Sequence, residues 1–226
     1  MTKLREREVW KAALPSTVER RQIKLDVLYR EAAHSFSKDG FHGTSLDEIA
    51  RNLGLTKAAL YYYVKNKQEL LYRCHELAMK AALEGLERGA RQGRNGREKV
   101  VLALRHYLVW LIGNHGSAVV LLEENAMRPA ERARIVALRD KFERRLRALV
   151  EAGIADGSIV RCSPRLVIFA AMGMVNWVQK WFDPGKEWSG AQIAVAITEI
   201  LERALSTVPA PALTRDPKML STESAA

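Results

Sequence analysis

An all-α fold is what this 226-residue chain predicts, and three observations carry the prediction. Apolar residues recur at helical spacing through nearly every segment between the two ends of the chain. Glycine and proline stand where those stripes stop, at Gly54, Gly96, Pro129 and Gly157 among others, as breaks between helices. The third is the stretch Thr44 to Leu70, TSLDEIARNLGLTKAALYYYVKNKQEL, which spells two short helices, a tight turn and an aromatic, basic follow-on. At 48% apolar content the chain can bury the core of a small domain plus a larger one. Its net charge of +10 favours a polyanionic partner. Solvated Lys and Arg produce such a charge just as often, so composition alone does not decide.

The chemistry of the Thr44 to Leu70 stretch is local. Thr44 and Ser45 can cap a helix whose apolar positions are Leu46, Ile49, Ala50 and Leu53, with Asp47 and Glu48 in the first turn, where the helix dipole favours negative charge. Gly54 stops that helix. Thr56 then caps a second helix, Lys57 to Val64, which buries Ala59, Leu60 and Tyr63 against the first and turns Lys57, Ala58, Tyr61 and Tyr62 outward. A short rigid helix presenting polar groups in this way reads as the recognition element of a DNA-binding helix-turn-helix.

This stretch resembles the DNA-binding domain of the tetracycline-repressor (TetR) family of bacterial transcription factors. The resemblance spans the first third of the chain. It starts with Ile23, Val27, Leu28, Ala32, Ala33 and Phe36 on one face of a first helix that ends at Asp39-Gly40-Phe41, and continues through Thr44-Ser45-Leu46 and Ile49-Ala50. Leu60-Tyr61-Tyr62-Tyr63, Lys65-Asn66-Lys67 and Leu70-Leu71 complete it. The resemblance implies an N-terminal three-helix helix-turn-helix domain, joined by a long connecting helix to a helical effector-binding and dimerisation domain. It also implies a DNA-binding set of Thr44, Ser45, Thr56, Lys57, Ala58, Tyr61, Tyr62 and Lys67. Of these, Thr44, Ser45, Tyr61 and Lys67 should hold phosphates, while Lys57, Ala58 and Tyr62 face base edges.

Downstream, a connecting helix should run from Lys67 to about Arg88, with Leu70, Leu71, Leu77, Ala78 and Ala81 inward. Gly85, Gly89, Gly93 and Gly96 are expected to mark its fraying and a loop. Val100, Val101, Leu104, Tyr107, Leu108 and Leu111 form the next stripe, ending near Asn114-His115-Gly116, and Ala118 to Glu124 a short helix. Pro129 opens another helix as a first-turn proline. It points Ile135, Leu138, Phe142, Leu146, Leu149 and Val150 inward, carries a dense arginine band outside, and stops at Gly153 and Gly157. The expected domains are an extension over 1–18, the helix-turn-helix over 19–66, the effector and dimerisation domain over 67–206, and a disordered tail over 207–226 that is rich in proline and small polar residues.

The last two helices are expected over Pro164 to Phe182 and Ser189 to Leu205. The first is apolar almost all round, so both its sides need cover. One side packs inward and the other calls for a partner, which predicts a homodimer through a four-helix interface built on Val167, Ala171, Met174, Val178, Ile193, Ile197 and Leu201. The segment Asn176-Trp177, Trp181-Phe182, Pro184-Gly185, Ser189 and Ile193-Ala194 is similar to the C-terminal domain of TetR-family repressors of fatty-acid and steroid degradation. That resemblance implies an acyl-CoA thioester as effector. Trp110, Phe142, Phe169, Met172, Trp177 and Trp181 are the candidate lining, Asn176 the candidate partner of an effector carbonyl, and Arg105, Arg145 and Lys180 the candidate holders of nucleotide phosphates. Aromatic and Met residues at helical spacing are core more often than pocket, and charged residues are usually solvated or paired.

Other chemistries find little footing. Glu123 and Glu124 point to different helix faces, His34, His42, His75, His106 and His115 lack metal-ligand spacing, and no Gly-rich phosphate loop occurs. The expectation is a non-enzyme without cofactor or metal. Cys74 and Cys162 read as reduced, buried spacers. No stretch, Leu166 to Val178 included, is long and apolar enough to cross a bilayer, so the expected setting is the cytoplasm, with operator DNA, a small hydrophobic effector and a second copy of the chain as partners. A small aromatic or drug-like effector, or a DNA-binding protein without any effector, are the competing expectations.

Overall fold

The structure, a computed structural model, describes residues 16–113, 124–183 and 185–208. Among these residues the chain forms α1 (Thr17–Gly43), α2 (Leu46–Asn52), α3 (Lys57–Tyr61), α4 (Lys67–Gln92), α5 (Gly96–Gly113), α6 (Pro129–Ala155), α7 (Pro164–Trp181) and α8 (Gly190–Leu205). A 3₁₀ turn covers Glu124–Ala126. The only β pairing among the described residues is an isolated bridge between Ile159 and Ser206, which ties the loop after α6 to the end of α8. The residues assigned to the N-terminal extension, to most of the tail and to the Ala118 to Glu124 helix lie largely outside the described residues.

Local signals set most helix ends. Ser16 and Glu19 form a reciprocal capping box at the start of α1. Asn66 accepts from the Glu69 amide at 2.8 Å to open α4, and Ser189 pairs with Gln192 at the start of α8. The helix α1 is kinked at Gly40, whose φ of 74° is left-handed. Leu28, Ala32, Ala33 and Phe36 form its buried face as expected, but Ile23 and Val27 are exposed. Those two share a face of α1 turned away from the buried Leu25 and Leu28.

The helices α4 and α5 form the most extensive helix pair among the described residues, and α5 is the hub of the larger domain, touching α4, α6, α7 and α8. Here the sequence expectation needs correcting. Gly85 and Gly89 do not fray α4; both are buried within it, and the helix runs on to Gln92. A Cβ at Gly89 would collide with the backbone of Ala103 in α5, so the missing side chain is what allows the two helices to touch backbone to backbone. Gly153 likewise lies inside α6, which continues to Ala155; Gly157, with φ of 77°, makes the turn beyond it.

Candidate reading head and effector core

In the head, α2 and α3 meet across a turn that the sequence builds residue by residue. The Ser45 hydroxyl accepts from the Glu48 amide at 3.1 Å and the Thr56 hydroxyl from the Ala59 amide at 3.2 Å, each supplying an oxygen to an otherwise orphaned donor. Gly54 adopts φ of 65°, a conformation glycine enters without a Cβ penalty. Leu46, Ile49, Ala50 and Leu60 are buried, with Phe36 and Phe41 of α1 in the same core. The helix α3 is shorter than expected: it stops at Tyr61, and Val64 is buried beyond its end.

The structure sorts the expected DNA-binding residues into three groups. Ser45, Thr56, Lys57, Ala58, Tyr61 and Tyr62 are exposed on the head, with Tyr62 more open at 73% than Tyr61 at 47%. Thr44 is buried instead; its hydroxyl donates to the Gly40 carbonyl at 2.8 Å and its amide to the same oxygen, so it closes α1 and faces away from solvent. Lys67 is the third case. Its ammonium donates to the carbonyls of Phe41 at 2.6 Å and Thr44 at 2.7 Å and lies over the Phe41 ring. Two of its three N–H donors are thereby committed to pinning the end of α1 against α4, leaving one for a phosphate. Sequence reasoning also missed Asp47, whose carboxylate pairs with the Lys57 ammonium at 2.9 Å between exposed groups; that partnership raises the Lys57 pKa. A pairing from one helix to the next has no periodic signature.

The larger domain brings together part of the expected effector set. Phe142 is buried beside Tyr107, their ring centroids 6.3 Å apart; Met172 is half-buried, and Trp110, also half-buried, lines a separate small cavity with Tyr29 and Cys74. The Tyr107 hydroxyl, whose pKa burial pushes up, donates to the Asn176 side-chain oxygen at 3.4 Å. That polar pair accounts for Asn176 in an apolar helix. Phe169, Trp177 and Trp181 depart from the expectation: they sit on the outer side of α7, with Trp177 61% exposed. The expected phosphate holders are dispersed. Arg105 donates to the Thr198 hydroxyl at 3.0 Å, Arg145 pairs with Glu87 at 2.7 Å, and Lys180 is exposed near the end of α7.

The expected dimer stripe also divides. Ala171, Val178, Ile193 and Leu201 are buried within the single chain, while Val167, Met174 and Ile197 are half-buried against its core. The outer apolar face is a different set: Leu166, Phe169, Trp177 and Trp181 on α7, with Ile200 on α8. An all-apolar helix offers no sequence clue as to which side turns inward.

One residue that no sequence signal marks is His75, on the inner face of α4. It is buried, its Nε2 has no hydrogen-bond partner among the described residues, and burial, with the Arg139 charge second, holds its pKa down at about 3. Cys74 beside it is buried and Cys162 half-buried, both free thiols. Among the described residues no cluster of His, Cys, Asp and Glu can hold a metal ion, and no helix is long and apolar enough to cross a membrane.

Comparison with known proteins bears on both halves. Residues 28–74 match the family of bacterial regulatory proteins named for TetR, and residues 93–205 match the tetracyclin repressor-like C-terminal domain. The chain is 25% identical over 129 residues to the fatty acid metabolism regulator protein of Bacillus subtilis, an alignment covering 57% of this chain and 66% of that one. Among solved structures, the TetR-family regulator PfmR of Thermus thermophilus superposes with a TM-score of 0.68 at 28% identity, covering 86% of this chain and 100% of that one. AibR, solved in complex with isovaleryl coenzyme A and operator DNA, superposes with a TM-score of 0.62 at 27% identity, covering 76% of this chain and 97% of that one. With a helix-turn-helix head at one end, a helical C-terminal domain at the other and a family match to each, the chain belongs to the TetR family of DNA-binding transcription regulators.

Proposed function

We propose that this chain is a homodimeric repressor that binds a near-palindromic operator and is released by an acyl-CoA thioester. The observation that carries the effector is the likeness to AibR, whose structure holds isovaleryl coenzyme A and operator DNA; the fatty acid regulator of Bacillus subtilis points the same way. The polar pair Tyr107–Asn176, with Phe142 beside Tyr107, supplies a hydrogen-bonding group among buried apolar residues, suited to a thioester carbonyl and its acyl chain. Arg105 and Arg145 are engaged by Thr198 and Glu87, so a nucleotide must either displace those partners or be held elsewhere.

The dimer rests on the outer face of α7 and α8. Leu166, Phe169, Trp177, Trp181 and Ile200 leave large apolar groups in water in one chain, and a second copy related by a twofold axis covers them. Two heads so related read successive major grooves only when they lie a whole number of DNA turns apart, about 34–36 Å per turn. Lys57, Ala58 and Tyr62 face the bases, with Ser45, Thr56 and Tyr61 on the phosphates. An effector that prefers a splayed arrangement releases the operator, and converting a strongly closed population to an open one takes about 5.5 kcal/mol of differential binding.

The test is an electrophoretic shift of operator DNA titrated with acyl-CoAs of graded length, alongside free CoA and free fatty acids. Each buried CH₂ adds about 0.8 kcal/mol, so potency should climb with chain length until the site is full and then fall. Release by a free acid or an aromatic drug, with every thioester inert, overturns the acyl-CoA effector and leaves the family assignment standing.

A further inference from the structure

A cleft of about 550 Å³ opens between the N-terminal half of α1, the end of α3 with the turn after it, and the N-terminal half of α4. Its size is that of sites that enclose small ligands, roughly 300–1,000 Å³. Four tyrosines line it, Tyr29, Tyr61, Tyr62 and Tyr63, above apolar surface from the buried Leu25 and Val64. Burial raises the Tyr29 pKa, so that hydroxyl stays a proton donor.

The charge on the lining is unbalanced. Arg21, Lys65, Arg73 and Lys80 face Glu69 and Glu76. Glu76 serves both Arg73 at 3.0 Å and Lys80 at 3.5 Å, and Glu69 accepts from the Lys65 backbone amide at 2.9 Å. Neither the Arg21 guanidinium nor the Lys65 ammonium has an acidic partner among the described residues. A second cavity of about 150 Å³ shares Tyr29 and Leu77 with the first and reaches Cys74 and Trp110, so the seam continues from the head into the larger domain.

We propose that this cleft is a ligand site for a flat aromatic ring bearing a carboxylate or phosphate. Tyrosine faces stack on a planar ring, and two unpaired cations at the rim match an anionic substituent through charge-assisted hydrogen bonds. Tyr61 and Tyr62 belong to the cleft and to the exposed surface of the reading head alike, so a bound ring and operator DNA compete. That competition is reciprocal: the operator weakens the ligand by the factor by which the ligand weakens the operator. The site is separate from the effector core around Tyr107 and Asn176 and stands without the acyl-CoA reading.

The test is calorimetric titration of the full chain with salicylate and with adenosine monophosphate. Both should bind saturably, whereas benzyl alcohol, a ring without charge, and inorganic phosphate, a charge without a ring, should bind at least tenfold more weakly. The double variant R21Q/K65Q changes two exposed side chains; it should melt as the parent does and bind both probes at least tenfold more weakly. Its release from operator DNA by acyl-CoA should match the parent's, which separates failure here from failure of the thioester reading. Added operator DNA should weaken both probes. Absence of saturable binding by either probe, equal affinity in R21Q/K65Q, or phosphate alone binding as tightly would each overturn the site.

Discussion

The reading head and the helices α7 and α8 stand in opposite relation to their sequences. In the head, Ser45, Gly54 and Thr56 act on atoms within one helical turn of themselves, so cap, turn and cap follow from the order of residues. In α7 the residue types are interchangeable from side to side, and the inward side is chosen by helices far along the chain. The Tyr107–Asn176 hydrogen bond joins residues 69 positions apart. Short-range chemistry therefore shapes the helix-turn-helix, and long-range packing decides which side of α7 turns inward.

The largest effect is expected from charging one side of α7. Trp177→Asp places an unpaired carboxylate in the proposed interface at a cost on the order of 4 kcal/mol, so sedimentation should show monomers that remain folded. Val178→Asp, the next residue but turned inward and fully buried, should unfold the chain instead. Persistence of the dimer in Trp177→Asp removes the outer face of α7 as the interface.

Next in size is Gly89→Val, which forces α4 and α5 apart and should destabilise the chain by about 3 kcal/mol in urea denaturation, the upper part of the usual range for overpacking. A neutral result would mean that the close approach to Ala103 relaxes without cost.

His75 gives a smaller effect with a pH signature. Its folded pKa is lowered to about 3 from 6.5, so the unfolded chain takes up a proton that the folded chain refuses. Its stability contribution is complete above the unfolded value and is lost as pH falls towards the folded one. Between about pH 7 and about pH 5 the parent should lose about 2 kcal/mol more than His75→Leu. Parallel stability curves for the two proteins would show that His75 is protonated as readily in the folded chain as in the unfolded one.

The smallest expected effect lies in the head. Lys67→Met removes two charged hydrogen bonds to carbonyls, so it should cost about 1.5 kcal/mol of stability and weaken binding to operator and random DNA alike. Lowered DNA affinity with an unchanged melting temperature would return Lys67 to the role of a simple phosphate ligand.

Much of this molecule is legible in its sequence. The all-helical class, the helix-turn-helix, the connecting helix and the first-turn proline of α6 all follow from periodicity and capping. What escapes is whatever depends on a surface meeting another surface. Gly85 and Gly89 look like helix breakers until α5 lies against them. Lys67 looks like a free cation until the end of α1 supplies two carbonyls. Phe169, Trp177 and Trp181 look like pocket lining because sequence records their apolarity but not their direction.

The backbone contact at Gly89 has a mechanical consequence. It clamps the far end of α4 to the body of the larger domain, while Lys67 at the near end carries the head. The distance from clamp to head is about 33 Å at about 1.5 Å of rise per residue. A helix held in this way is a crank arm: a tilt of about 5° at the clamp displaces the head by about 3 Å over that span. Two such arms turning in opposite senses about the proposed twofold axis would double the change in separation, enough to put the heads out of step with the DNA groove.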